Sequence, residues 1–386
     1  MPMAENDRYK EADKTLDNFL DAVFSTSHSH ASVRSYHSAI RGRANGFRKF
    51  LDENYNMDEL QLLDEVSNSR IDIYKVLSDY VIFLSKSGIA PRTVKQWFSG
   101  VKGYLTHIGI EIYNEKCKQR VRLPKIHKIR KEPLTRELIV RVLNVLPFKL
   151  RTVFYVAISS GMRIGEIAEL RLSDIDFSCN PTKIFIRAET TKTREDRETF
   201  LTAEATSALK DYLNRHFAWN ENDPNVNLQN VKIFGRTSLA KRKIMPKKDE
   251  QRGSVDILEQ SLNNYLKNIP EFNKRKRNGK RLIHYHALRE FFYTTVSNIA
   301  GANFAHALMG HHSYLDTYYS LSEKDQIKMY LKCEAQLTMS DFRKIEEELE
   351  KTKEKQVEIE ETYVKLAKFL KQKDPSFERF MELIVK

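Results

Sequence analysis

The sequence predicts a mainly α-helical protein with a small β-sheet, built as two domains joined by a basic segment and followed by a charged helical tail. Three observations carry that expectation. At 386 residues the chain exceeds the usual single-domain size. Apolar residues recur at near-helical spacing over most of it. Only two short runs, Lys183-Ile184-Phe185-Ile186 and Glu198-Thr199-Phe200-Leu201, read as strands.

The first domain, residues 1–115, reads as helices separated by short turns from about Thr15 to Ile112. Val33, Tyr36, Ile40, Phe47, Phe50 and Leu51 recur at helical spacing, as do Ile73, Val76, Leu77, Tyr80, Val81 and Leu84. Gly88 breaks the pattern and Pro91 suits a helix start, after which Val94, Trp97, Phe98, Val101, Tyr104 and Leu105 form another apolar face. Arg34, Arg41, Arg43, Arg48, Lys49, Arg92, Lys95 and Lys102 lie on or beside these helices, where basic residues outnumber acidic ones. A phosphate-facing surface that includes Arg41, Arg92 and Lys95 is the expectation, and a solvated face is the alternative.

Residues 116–131 contain no acidic residue and no sustained amphipathic period, so they read as an extended basic linker. Such a run can lie along a phosphate backbone, and Lys125, Lys128, Arg130 and Lys131 are expected to do so. The second domain, residues 132–340, opens at Pro133-Leu134-Thr135, where Thr135 can cap a helix begun by Arg136 and Glu137. A second helix is expected to carry Arg163. The two strands follow, joined by the polar stretch Thr190 to Arg197 with Lys192 at the start of its turn. From Leu209 the pattern is again mostly helical, interrupted by basic loops at 241–248 and 274–281. In the tail, 341–386, Ile345, Leu349, Thr352, Gln356, Ile359, Tyr363, Leu366 and Leu370 alternate at spacings of four and three. That is a heptad seam with polar residues in its middle, able to pack on its own domain or on a neighbouring subunit.

Lys plus Arg is 65 against 52 for Asp plus Glu, a formal charge of +13, which makes a large polyanion the natural partner. Cys117, Cys179 and Cys333 lack Cys-x-x-Cys spacing and are odd in number, which argues against a disulfide framework or a zinc knuckle and fits a reducing cytoplasm. The first thirty residues lack an apolar h-region and no later run is long enough to span a bilayer, so a cytoplasmic protein without a membrane partner is expected. The phosphate-binding pattern Gly-x-x-x-x-Gly-Lys-Ser/Thr is absent, as is an acidic cluster of the kind two-metal nucleases use; neither a cofactor nor a metal is expected.

One group of polar residues has a common use. Arg163 stands in Ser159-Ser160-Gly161-Met162-Arg163-Ile164-Gly165-Glu166, His286 and Arg289 form a His-x-x-Arg pair, and His311 in Met309-Gly310-His311 precedes Tyr318 and Tyr319. Planar guanidinium forks suit the non-bridging oxygens of a phosphate and stay protonated, and a tyrosine hydroxyl can attack phosphorus. Glu166, three residues after Arg163, is placed to share a helical face with it and hold its guanidinium. His286 and Arg289 share a face if their helix begins at or before His286; His284 lacks that interval.

This order of motifs, from about Glu132 to Thr338, resembles the catalytic signature of the tyrosine recombinase (phage integrase) family. The resemblance implies a helical core-binding domain and a catalytic domain that clamp double-stranded DNA, with four subunits acting on two sites. It implies that Arg163 and Arg289 grip the phosphate, that Glu166 supports them, and that His311 donates to the same phosphate. Lys192 corresponds to the family's lysine between two strands, where an ammonium can protonate the leaving 5′-oxygen. The family's nucleophile lies eight or nine residues beyond the Gly-His histidine; Tyr319 is eight beyond His311, and Tyr318, at seven, is the alternative. The run Tyr330 to Thr338 looks similar to archaeal integrases, of the kind found in viruses or plasmids. The implied activity is site-specific recombination through a 3′-phosphotyrosine. A type IB topoisomerase-like enzyme and a non-catalytic DNA-binding protein are the alternatives.

Overall fold

The structure is a computed structural model that describes residues 5–126, 132–191, 193–220, 230–235, 254–275, 281–310 and 321–340, and in the tail Gln356, Ile359 and Thr362. Two compact units, Met1–Ile129 and Arg130–Lys386, make up the chain.

The first unit is helical among its described residues: α1 (Glu5–Ser27), α2 (His30–Arg41), α3 (Phe47–Tyr55), α4 (Glu59–Ser67), α5 (Ile73–Lys86), α6 (Pro91–His107) and α7 (Asn114–Arg120). The apolar stripes foreseen for α5 and α6 are its core, where Val76, Leu77, Leu84, Val94, Val101 and Leu105 are fully buried. Tyr80 sits edge-on to Phe47, with ring centres 5.1 Å apart, and its hydroxyl donates to the carbonyl of Ala39 at 3.0 Å. Helix α1 begins ten residues before the expected first helix. Its early turns carry no apolar period, and Ala12, Leu16, Phe19 and Leu20 are buried along it.

Two expectations for this unit need correction. The segment 116–131 is not extended throughout: α7 runs to Arg120, because Cys117 and Val121, one helical turn apart, are both buried in the core of this unit. Arg41 does not present its guanidinium to a phosphate. It donates to Asp13 (Nη2 to Oδ1, 2.8 Å) and to Glu59, whose fully buried carboxylate also receives Nε of Arg48 at 2.6 Å. A carboxylate removed from water needs charged donors, and that demand takes both arginines.

The second unit holds α8 (Arg136–Val145), α9 (Phe148–Ser160), α10 (Ile164–Ala168), β1 (Ile175–Asp176), β2 (Thr182–Ile186), β3 (Arg197–Leu201), α11 (Ala203–Phe217), α12 (Ser254–Lys267), α13 (Tyr285–Ala300), α14 (Ala302–Met309) and α15 (Glu323–Leu337). The Thr135 hydroxyl caps α8 by accepting from the Leu138 amide, 3.3 Å. Helix α9 is buried nearly all round, as its apolar run demands, and α11 and α13 pack against it. The sheet is antiparallel in the order β1-β2-β3, with Ile186 opposite Arg197 and Thr182 opposite Leu201. The short strand β1 was not foreseen; two residues are too few to show a period.

Helix α15 is docked on its own unit. Tyr330 is fully buried and its hydroxyl donates to the Ser159 carbonyl at 2.8 Å, while Cys333 and Leu337 pack below it. The chain is pinned where it leaves α15: Arg136 Nη2 donates to the Thr338 carbonyl (2.8 Å), and the Glu204 carboxylate accepts from the amides of Met339 and Ser340 (2.7 Å each). Of the tail seam, the described Gln356 and Ile359 are helical, with Ile359 exposed. Apart from these two and Thr362, residues 341–386 lie outside the described residues, as does the basic loop at 241–248.

Candidate active site

The site is assembled at the end of α9. Gly161 closes that helix in the left-handed conformation (φ 62°, ψ 16°), with its amide donating to Ala157 at 3.1 Å. A Cβ there would meet the ring of Phe292 at 2.3 Å, so the position admits only glycine. Because the helix stops at Gly161, Arg163 is not carried on a helix as expected. It is the residue that caps the start of α10, in an extended conformation (φ −71°, ψ 148°). Glu166 therefore reaches Arg163 by folding back over the first turn of α10. Its Oε2 accepts from the Arg163 amide (2.7 Å) and its Oε1 from Arg163 Nη1 (2.8 Å).

Arg289 lies one turn into α13 and is 2% exposed. Its guanidinium donates from Nη1 to the carbonyl of Gly161 and from Nη2 to that of Met309 at 2.5 Å. Burial, and then the neighbouring charge of Arg163, push its pKa down from the usual arginine range; Glu166 pulls the other way. The Glu166 carboxyl is itself buried, which works against ionisation. Hydrogen bonds and charge from Arg197 and Arg163 outweigh that burial and hold it below the ordinary carboxylate range.

Arg163, Arg289 and His286 line one cleft of about 750 Å³. Arg275, Arg281 and His284 line it too, and Glu259 supplies its acidic side chain. Helix α13 begins at Tyr285, so His286 and Arg289 share a helical face as their interval requires. They differ in exposure: the His286 ring is 68% exposed and lies 3.4 Å from the Glu290 carboxylate. His284 precedes the helix, with Nδ1 3.1 Å from the Leu282 carbonyl. A cleft walled by several cations stabilises the dispersed negative charge of a phosphoryl group under attack.

Among the other expected residues, Arg92 is exposed and Lys95 half-buried on α6, and Lys125 is exposed beyond α7. Lys192, His311, Tyr318, Tyr319, Lys128, Arg130 and Lys131 lie outside the described residues. Sequence reasoning missed Arg197, the first residue of β3. Its Nη2 and Nη1 donate to Glu166 at 2.5 and 3.1 Å, and its Nε donates to the Leu308 carbonyl at 3.0 Å. The available signal was a cation opening a strand, two positions ahead of the run Thr199-Phe200-Leu201. Lys183, Arg187 and Arg194 nearby carry the same charge, and nothing in the sequence separates Arg197 from them. Among the described residues, no group of three or more His, Cys, Asp or Glu side chains is placed to hold a metal, and no helix is long and apolar enough to cross a membrane.

Comparison with known proteins bears on this arrangement. The model of the phage integrase family matches residues 132–324, half of the chain. Tyrosine recombinase XerA of Pyrococcus furiosus is 27% identical over 143 residues, covering 36% of this chain and 47% of that protein. XerA of Thermococcus onnurineus is 24% identical over 180 residues, covering 36% of this chain and 62% of that one. The matched region thus spans about half to three-fifths of the length of these relatives. Among solved structures, a lambda integrase tetramer bound to a Holliday junction aligns with 81% of this chain and 80% of its own, at 16% identity and a TM-score of 0.51. A lambda integrase dimer bound to a COC′ core site aligns over 80% and 79%, at 15% identity and 0.50. Those structural likenesses establish a shared fold of helices around a small antiparallel sheet. With the motif order and the family match covering the same stretch, from the start of α8 to the start of α15, the chain belongs to the phage integrase family.

Proposed function

We propose that this protein is a site-specific DNA recombinase that cuts and rejoins DNA through a 3′-phosphotyrosine. The observation that carries the proposal is the pair Arg163 and Arg289, brought by two different helix ends into one cleft with His286 and held from behind by Glu166 and by backbone carbonyls. The guanidinium N–H groups that those bonds leave over engage the non-bridging oxygens, and His311 adds a further donor. The Tyr319 hydroxyl oxygen attacks phosphorus while the bond to the 5′-oxygen breaks. His286 accepts the phenol proton, and Lys192 delivers one to the leaving 5′-oxygen. The phosphotyrosine keeps the energy of the broken bond, so a 5′-hydroxyl from another strand reverses the step without a nucleotide.

Double-stranded DNA carrying a specific site is the partner, bound as four subunits on two sites; the tetramer of lambda integrase on a junction supports that stoichiometry. The surface cations Arg92, Lys95 and Lys125 add contacts to the phosphate backbone. A nicked suicide substrate tests the reading. A covalent protein–DNA adduct is expected with the unaltered chain and lost with Tyr319→Phe, which removes one oxygen and leaves binding intact. An adduct that persists in Tyr319→Phe and disappears in Tyr318→Phe moves the nucleophile by one residue. Persistence in both overturns the tyrosine mechanism.

A further inference from the structure

Resting on that reading of the cleft, we infer that Arg197 is a positioning residue for cleavage: it sets the direction of Arg163 through their shared carboxylate and fixes the end of α14 on which both phosphate-gripping arginines lean. Arg197 touches no substrate. It is not among the residues lining the catalytic cleft, its side chain is 8% exposed, and Nε, Nη1 and Nη2 all donate inward.

The first arm of the inference is charge and saturation. Glu166 has room for about four donors, and it receives four: the Arg163 amide, Arg163 Nη1, Arg197 Nη1 and Arg197 Nη2. Without Arg197, the buried carboxylate faces Arg163 alone on its own element and Arg289 from α13. Its full charge then falls on Arg163 and cancels the cation that the phosphate needs. With Arg197 present the three side chains Arg163, Glu166 and Arg197 sum to one net positive charge, and Arg163 commits only Nη1 to the carboxylate while its Nη2 donates to the Gly310 carbonyl.

The second arm is a run of backbone carbonyls. Leu308, Met309 and Gly310 end α14, where helix carbonyls lack intrahelical donors and carry the negative end of the helix dipole. Each of the three accepts from a different arginine: Leu308 from Arg197 (3.0 Å), Met309 from Arg289 (2.5 Å) and Gly310 from Arg163 (3.3 Å). One short stretch of backbone is thus the common frame for the phosphate-gripping pair, and Arg197 fastens it to β3. Gly310 turns in the left-handed conformation (φ 61°) directly over the Arg197 stem, where a Cβ would lie 2.9 Å from Cδ. Loosening Arg197 therefore frees both the carboxylate and the frame.

Single-turnover cleavage of a suicide substrate by the full chain, followed across pH, tests this. Arg197→Met is expected to lower the rate on the order of 10²-fold, the cost of a catalytic group misplaced by about 1 Å, with site binding retained. Its rate also gains an acid limb, because Glu166 with only Arg163 and Arg289 opposite it protonates more readily than in the unaltered protein. The double variant Arg197→Met/Glu166→Gln loses that limb. Arg197→Lys, whose single ammonium cannot span Glu166 and Leu308 together, retains an intermediate rate and provides the same comparison if the Met variant does not fold. An Arg197→Met or Arg197→Lys protein that cleaves at the unaltered rate, or one slowed equally at every pH with no limb for Glu166→Gln to remove, overturns the positioning role. Absence of adduct with the unaltered chain instead overturns the recombinase reading itself.

Discussion

Substituting Gly161 by alanine tests the joint between fold and site. Two costs are readable from the geometry. The left-handed φ of 62° costs an L-residue about 1–2 kcal/mol. The added Cβ would fall 2.3, 2.6 and 2.8 Å from three ring carbons of Phe292, far inside the roughly 3.5–4.0 Å at which carbons rest against one another. Phe292 cannot step aside, because it is fully buried among Phe200, Phe304 and Tyr330. Overpacking of that kind costs about 1–3 kcal/mol. Gly161→Ala should therefore destabilise the second unit by roughly 2–5 kcal/mol, measured by denaturant unfolding followed by circular dichroism. The double variant Gly161→Ala/Phe292→Ala should lose less than the sum of the two single changes, because the cavity left by the ring accepts the methyl group. A loss under about 1 kcal/mol in the single variant, or strict additivity in the double, refutes the argument that the ring forbids a side chain here.

Three further outcomes follow from the same arrangement. Lys192→Ala should slow cleavage far more on an ordinary phosphodiester than on a 5′-bridging phosphorothiolate, whose sulfur leaves without a proton; equal defects on both substrates remove Lys192 from the role of acid. Glu166 is held below the ordinary carboxylate value of 4.5, so its ionised form contributes stability that is complete above that value and lost as pH falls through its lowered folded-state pKa. Unfolding free energies at pH values above and below 4.5 should show a smaller acid loss for Glu166→Gln than for the unaltered protein, and parallel curves would count against the ion pairs that lower it. Neutralising Lys125, Lys128, Arg130 and Lys131 together should weaken binding to all DNA sequences alike and flatten the dependence of log affinity on log salt; an unchanged slope returns the segment to a plain connector.

The parts of this molecule that were legible in the sequence are those governed by local pattern. The stripes of α5 and α6, the Thr135 cap and the two longer strands follow from spacing and side-chain type within a few residues of one another. The pairing of His286 with Arg289 followed for the same reason. What escaped depends on partners far apart in the chain. Arg41 reads as a surface cation until α4 brings Glu59 beneath it, eighteen positions on. Arg197 is one of several cations near a turn until Glu166, thirty-one positions earlier, and Leu308, on another helix, meet its guanidinium. Arg163 reads as helical because its neighbours are helical in pattern. The decisive fact was that Gly161 turns left-handed, and the glycine alone did not distinguish a stop from a tolerated interruption. Cys117 shows the same limit from the other side, since a basic stretch with one cysteine reads as a connector until a core is there to receive that cysteine.

The clamp on residues 338–340 has a consequence for everything downstream of it. With Thr338, Met339 and Ser340 held by Arg136 and Glu204, the end of α15 is fastened to α8 and α11, and position 340 is a fixed point of the second unit. Any group joined to such a point meets the surfaces it can reach at a raised effective concentration, so a contact too weak to form between free molecules becomes occupied once the point has been carried alongside. The same bonds tie α15 to α8 and α11, in the unit whose α10 and α13 position Arg163 and Arg289, so the end of α15 and the arginine cleft belong to one packed body.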